Sequence, residues 1–186
     1  KGKHTGMWGR AGMLSFNGNK PVTTGGGGMI ISNHEALAEK ARHLSTTAKR
    51  KHPWQFYHDE VGYNLRLPNI NAAVGCAQME YFDSTIKNKR ETAEMYKAFF
   101  DNKNIPFFTE PQDCHSNYWL NVMFLNDREE RDAFLEYSNA NGIQTRPVWQ
   151  LIPALPPYAS CQCDPIPIAK DLEDRIVNIP SSVRIV

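Results

Sequence analysis

The sequence predicts a mixed α/β chain in three successive parts: the end of a larger α/β domain over 1–67, linking helices over 68–103, and a small α+β domain over 104–186. Three observations carry this. Two short apolar runs, Met13–Phe16 and Met29–Ile31, bracket a loop rich in Gly, Asn and Thr, which is a strand–loop–strand pattern. From Pro68 onward the apolar residues Ile70, Ala73, Val74, Ala77 and Tyr81 recur at helical spacing. After Asn104 the composition changes, and short apolar runs alternate with amphipathic ones.

The elements follow in order. Ser32 and Asn33 offer caps for a helix over Glu35–Leu44, with Leu37, Ala38, Ala41 and Leu44 on one face. Ser45–Glu60 reads as a long polar loop carrying the basic run Lys49-Arg50-Lys51-His52; loops of this length are uncommon unless they serve a function. The helix that opens at Pro68 restarts its pattern at Ala93, Tyr96 and Phe100, so a second helix or a bent continuation is expected. Pro106 and Pro111 break regular structure. Trp119–Leu125 is an apolar strand, and Asp127–Asn141 a helix that Gly142 is placed to stop. Ile143-Gln144-Thr145 is expected as a short strand. Pro147–Pro167 holds six of the 12 prolines and is a shaped loop. Ile168–Asp174 closes the chain as a short helix, with Ile176–Asn178 as a last strand.

The charge balance, 21 basic against 20 acidic residues and a net +1, does not favour nucleic acid or a membrane surface as the main partner. No apolar run reaches spanning length and no signal peptide opens the chain, so a cytoplasmic location is expected. The four cysteines, Cys76, Cys114, Cys161 and Cys163, form no dense disulfide framework. Cys161-Gln-Cys163 has one intervening residue, not the two of a zinc knuckle, and no metal is expected. Lys1-Gly2-Lys3-His4 reads like the interior of a longer protein.

The informative segment is Ser15-Phe16-Asn17-Gly18-Asn19-Lys20-Pro21-Val22-Thr23-Thr24-Gly25-Gly26-Gly27-Gly28. Its spacing is not that of a nucleotide-binding P-loop: Gly12 and Gly18 are too far apart, and Asn19 separates Gly18 from Lys20. Pro21 keeps Lys20 out of helical backbone. The glycine run permits unusual backbone angles and close approach of a ligand. Ser15, Thr23 and Thr24 supply hydroxyls suited to phosphate. A surface lysine in a flexible turn is the ordinary alternative.

Ser-Phe-x-x-x-Lys followed by Thr-Thr-Gly-x-Gly-Gly resembles the signature of the DegT/DnrJ-type nucleotide-sugar aminotransferases, fold type I enzymes that use pyridoxal 5'-phosphate (PLP). The resemblance implies that Lys20 carries PLP as a Schiff base and that Ser15 binds its phosphate. Relatives have glutamate where this chain has Gly26. Related sugar dehydratases have histidine at the lysine position, so Lys20 points to transamination. Gly62-Tyr63-Asn64-Leu65-Arg66, before the long helix, resembles a second family segment. It implies a homodimer with shared sites, in which Asn64 reaches the PLP phosphate of the partner while Arg66 and Tyr63 lie near its substrate. Arginine suits such a site because its planar fork grips phosphate or carboxylate. Ser116–Asn121, Gly142–Trp149, Leu155–Tyr158 and Val177–Ser182 continue the resemblance, which places Arg146 and Trp149 near the sugar nucleotide, with structural packing the equal alternative for Trp149. Many relatives have a histidine in the region that here reads Leu151-Ile152-Pro153-Ala154. The finer flavour is that of the legionaminic acid and bacillosamine pathways.

The resemblance therefore implies amino transfer from L-glutamate to a nucleotide-linked 4-keto-6-deoxy sugar. It also implies that this chain is the C-terminal half of a fold type I PLP-transferase. The aspartate that pairs with the pyridine nitrogen and the aromatic that stacks on the ring precede the lysine in relatives and have no counterpart here. The chain alone is accordingly expected to be inactive or nearly so. The competing expectations are a non-catalytic binding or assembly module derived from the same fold, and a different PLP sugar enzyme.

Overall fold

The computed structural model describes residues 2–184. The chain divides into two compact units, residues 1–83 and 84–186.

The first unit is built on an antiparallel hairpin, β1 (Gly12–Ser15) with β2 (Gly28–Ile31), in the register Gly12↔Ile31 to Ser15↔Gly28. Helix α1 (Glu35–Ser45) follows. Its cap is His34, not the expected Ser32 or Asn33: His34 Nδ1 accepts from Leu37 N at 3.3 Å. Ser32 is occupied otherwise, since its hydroxyl donates to Arg10 O at 2.5 Å and accepts from His34 N at 3.0 Å. Helix α2 (Asn69–Glu80) starts directly after Pro68. Its apolar stripe is exposed, with Ile70 82%, Val74 42% and Tyr81 66% accessible. The helical period thus marks the helix, while Ile70 and Val74 of the stripe stay exposed to solvent.

The second unit is a three-stranded antiparallel sheet, in the order β3 (Asn121–Phe124), β5 (Ile176–Ile179), β4 (Arg146–Pro147), packed with helices α3 (Phe82–Asp101), α4 (Arg128–Ala140) and α5 (Pro167–Arg175). Its core is Phe100, Met123, Leu125, Val177 and Ile179, with Tyr96, Ile105, Phe107, Phe134 and Leu135 packed around it. Alternation on β3 and β5 puts Met123, Val177 and Ile179 inside. Asp127 caps α4 by accepting from Glu130 N at 2.9 Å, and Gly142 ends it at φ +76°.

The strand expected at Ile143–Thr145 lies three residues later, at Arg146–Pro147. Residues 143–145 are held by the end of α4 instead. Ile143 N donates to Ser138 O at 2.9 Å, and the buried Thr145 hydroxyl lies 2.5 Å from Ser138 Oγ. The proline-rich segment contains two short 3-10 turns, Ile152–Ala154 and Pro156–Tyr158. No described helix is long and apolar enough to cross a membrane. All four cysteines are free and exposed.

Candidate active site

Lys20 sits in the loop that joins β1 to β2. The hairpin ladder continues one step past the strands, where Phe16 N donates to Gly27 O at 3.0 Å. Thr24 N donates to Phe16 O at 3.0 Å, and Lys20 N closes a tight turn on Asn17 O at 3.0 Å. The half-buried Lys20 is therefore displayed on a loop with hydrogen-bonded walls.

The hydroxyls expected to meet phosphate divide into two roles. Thr23 Oγ1 donates to Phe16 O at 3.1 Å and accepts from Gly25 N at 2.9 Å. Thr24, 3% exposed, donates to Gly26 O. Both threonines are spent on holding the loop. Ser15 Oγ accepts from Asn17 N at 3.4 Å, and among the described residues its own proton has no acceptor. Of the three hydroxyls, Ser15 keeps a donor for an outside anion.

The glycines are not equivalent. Gly27 has φ +103°, and a Cβ there would lie 2.7 Å from Leu67 Cδ1. A Cβ on Gly28 would lie 2.6 Å from Leu14 O. Gly26, where relatives have glutamate, has open space around it. Asn71 on α2 reaches the same loop, donating from its amide to Thr24 O at 2.6 Å.

Asn64, Tyr63 and Arg66 lie on an extended stretch laid against the end of α1. Tyr63 N donates to Leu44 O at 2.7 Å, Thr47 N to Tyr63 O at 3.0 Å, and Leu65 N to Ser45 O at 2.9 Å. All three side chains are exposed, Tyr63 to 59%. Among the described residues nothing pairs with the Asn64 amide or the Arg66 guanidinium. The stretch is locked by a turn with left-handed backbone at Thr47 (φ 64°) and Ala48 (φ 49°). Gly62 packs so closely on it that a Cβ would lie 2.4 Å from Ala48 N. An ion-pair network holds the far end of the loop. His43 Nε2 meets Asp59 Oδ1 at 2.6 Å, Arg50 Nε meets Asp59 Oδ2 at 2.5 Å, and Lys40 pairs with Glu60. The hydrogen bond from His43, ahead of the Arg50 charge, lowers the Asp59 carboxyl below its ordinary value. His43, Asp59 and Glu60 place three ligand atoms within 4.8 Å, but Lys40 and Arg50 already neutralise the carboxylates.

Arg146 lies in the second unit on β4, exposed and without an ion-pair partner among the described residues. Trp149 stacks on Trp119, with ring centroids 6.0 Å apart at 27°.

The roles of Asn71, the Thr47–Ala48 turn and the His43–Asp59 pair were absent from the sequence reading, and Gly62 appeared there only as part of the segment before the long helix. The glycine in Val61-Gly62-Tyr63 was the one available signal, marking close backbone approach.

The donor set fits two ends of a PLP molecule. Lys20 offers a primary amine to an aldehyde, and the Ser15 hydroxyl suits a phosphate oxygen. Neither the loop nor the 63–66 stretch carries an acid placed for a ring nitrogen.

Known proteins resemble this chain over nearly its whole length. The GDP-perosamine synthase of Escherichia coli O157:H7 is 37% identical over 181 residues, covering 97% of this chain and 49% of that protein. The aminotransferase TlmJ from Streptoalloteichus hindustanus superposes with a TM-score of 0.90 at 22% identity, over 100% of this chain and 50% of its own. Spr1654 from Streptococcus pneumoniae, solved in a PLP form, gives a TM-score of 0.89 at 19% identity, over 100% and 50%. The chain thus spans about half the length of the relatives it matches. The description of the DegT/DnrJ/EryC1/StrS aminotransferase family matches residues 1–186, and the chain belongs to that family.

Proposed function

We propose that this chain is the lysine-bearing part of a PLP-dependent aminotransferase. The reaction is transfer of an amino group from L-glutamate to a nucleotide-linked 4-keto-6-deoxy sugar. The observation that carries the reading is the β1–β2 loop, which displays Lys20 on hydrogen-bonded walls and leaves the Ser15 proton unclaimed among the described residues. The GDP-perosamine synthase relative supports a nucleotide-linked substrate.

PLP, when bound, supplies an electron sink for the carbon that loses its proton. Lys20 Nζ would hold the cofactor, and its free amine would take up and return that proton. Ser15 Oγ donates to the phosphate. Asn64 and Arg66, exposed and unpaired among the described residues, serve the site of a second copy in a cytoplasmic homodimer, with Tyr63 beside them. The assignment of Arg146 to substrate rests on resemblance alone. An acid to pair with the ring nitrogen is supplied from outside these residues, so the chain by itself turns over little or not at all.

The test is reduction with borohydride in the presence of PLP, followed by peptide mapping. Modification at Lys20, lost in Lys20→Ala and weakened in Ser15→Ala, is the expected result. Modification scattered over surface lysines, or its absence at Lys20 even when the preceding half of a relative is added, would leave the binding-module reading in its place. Glutamate-dependent amination by the isolated chain at the rate of a full-length relative would refute its dependence on outside groups.

A further inference from the structure

We propose that Cys161 and Cys163 form a reversible dithiol–disulfide site, which a small-molecule disulfide such as glutathione disulfide closes into a ring within the loop ahead of α5. The site goes beyond the function proposed above and does not depend on it. Both thiols are free and exposed, with Gln162 alone between them. Cys161 N donates to Tyr158 O at 2.9 Å, so the first thiol stands where the 3-10 turn Pro156–Tyr158 runs out. Cys163 Sγ donates to Asp164 O at 3.1 Å. Pro165 keeps Asp164 out of helical backbone, and Pro167 opens α5. The two thiols are therefore displayed on a short segment with a turn before it and proline-restricted backbone after it.

The spacing decides what kind of bond this pair can make. Positions i and i+2 of an extended chain lie about 6.6 Å apart, at the far edge of the roughly 4.4–6.8 Å between Cα atoms that a disulfide spans. Closure therefore asks Gln162 to bend. Gln162 belongs to no helix or strand, so the bend breaks no ladder hydrogen bond. A ring this small still stores strain, and strained, exposed disulfides are the ones that external thiols reopen. The pair is thus suited to switching rather than to stapling the fold. Metal binding is the other chemistry open to two thiols, but two sulfurs are half of a zinc set. Among the described residues no group of three ligand atoms forms at this loop.

The exchange runs in two steps. The thiolate of one cysteine attacks a sulfur of glutathione disulfide, forming a mixed disulfide and expelling one glutathione thiolate. The thiolate of the other cysteine attacks the protein sulfur of that mixed disulfide and expels the second glutathione. Two cysteine thiols give up two protons and two electrons, and the external disulfide takes up both and leaves as two thiols. Cys76 and Cys114 have no cysteine beside them in sequence, so the same reagent stops there at the mixed disulfide. Closure removes the Cys163 proton and with it the bond to Asp164 O. None of the core residues Phe100, Met123, Leu125, Val177 and Ile179 lies in this loop, so the unit stays folded in both states.

The test is to equilibrate the 186-residue chain in mixtures of glutathione and glutathione disulfide, quench with acid and map the peptides by mass. The peptide that carries residues 161–163 should lose two hydrogens and hold no glutathione. Excess glutathione should reopen the ring. Cys163→Ser should leave a lasting glutathione adduct on Cys161, and Cys161→Ser one on Cys163, because the resolving thiol is gone. Both side chains are exposed, and an unchanged far-UV spectrum shows that the variants and the oxidised chain stay folded. Four outcomes overturn the proposal. They are separate adducts on both cysteines of the wild type, a disulfide from either one to Cys76, Cys114 or a second molecule, thiols that stay reduced as the share of glutathione disulfide is raised, and a ring that excess glutathione does not open.

Discussion

Asn71, in the first turn of α2, donates from its side-chain amide to the carbonyl of Thr24 at 2.6 Å, and so ties the helix to the loop that displays Lys20. Thr24 is 3% exposed, so its carbonyl is left without this donor if the amide is removed. Asn71→Ala should destabilise the first unit by about 1–3 kcal/mol, read from the urea midpoint. Borohydride labelling of Lys20 should fall with it, because the loop loses its external anchor.

Neighbouring glycines in the same loop should respond differently. Gly27→Ala forces a side chain into left-handed backbone at φ +103° and against Leu67. A loss of about 1–3 kcal/mol is expected. Gly26→Ala meets open space and should stay within about 0.5 kcal/mol of the parent. Thermal melts of the two variants side by side check the contrast.

Acid should weaken the second unit through one pair. Arg90 grips Glu110 with two hydrogen bonds, at 2.6 and 2.9 Å, and the Ser116 amide donates to the same carboxylate at 2.5 Å. The Arg90 hydrogen bond first, and the Ser116 amide second, bring the Glu110 carboxyl down to about 2 from an ordinary 4.5. A carboxyl depressed in the folded state binds its proton later than in the unfolded chain. Its stabilisation is therefore complete above about 4.5 and is lost as pH falls towards 2. Glu110→Gln should lower stability at neutral pH by about 1 kcal/mol and flatten that acid limb, measured as denaturant midpoints across pH 2–7.

At the alkaline end the sign is reversed in origin. Lys89 is 5% exposed, with its ammonium donating to the carbonyls of Trp119 and Ser181. Burial lowers its pKa below the ordinary 10.5. The unfolded chain then holds that proton more firmly than the folded one. Stability attributable to Lys89 rises as pH climbs from its folded value to 10.5. Lys89→Met should abolish this rise in alkaline denaturation curves.

Much of the fold was legible where local chemistry decides it. Asp127 and Gly142 bound α4 because a carboxylate at one end and left-handed backbone at the other are local demands. Met13–Phe16 and Met29–Ile31 pair because the residues between them form a loop. What escaped was settled by distant partners. Thr145 is held by Ser138, which moves β4 to Arg146. Asn71 meets Thr24 across 47 residues. The stripe from Ile70 to Tyr81 announced a helix but carried no information about what covers it. In the candidate site, the placing of Lys20 and Ser15 on one strand–loop–strand segment was readable. The division of labour among the three hydroxyls was not, since it depends on which backbone carbonyl each one faces.

The threonines that were expected to grip an anion instead brace the loop from within. Their hydrogen bonds fix the backbone before any ligand arrives. Ordering of this segment is thus charged to folding rather than to binding, and an incoming group finds a rigid seat instead of having to assemble one. If Lys20 holds the cofactor as proposed, its affinity and the stability of the β1–β2 hairpin are for that reason one quantity seen from two sides, and substitutions that slacken the hairpin should show themselves first as weaker capture.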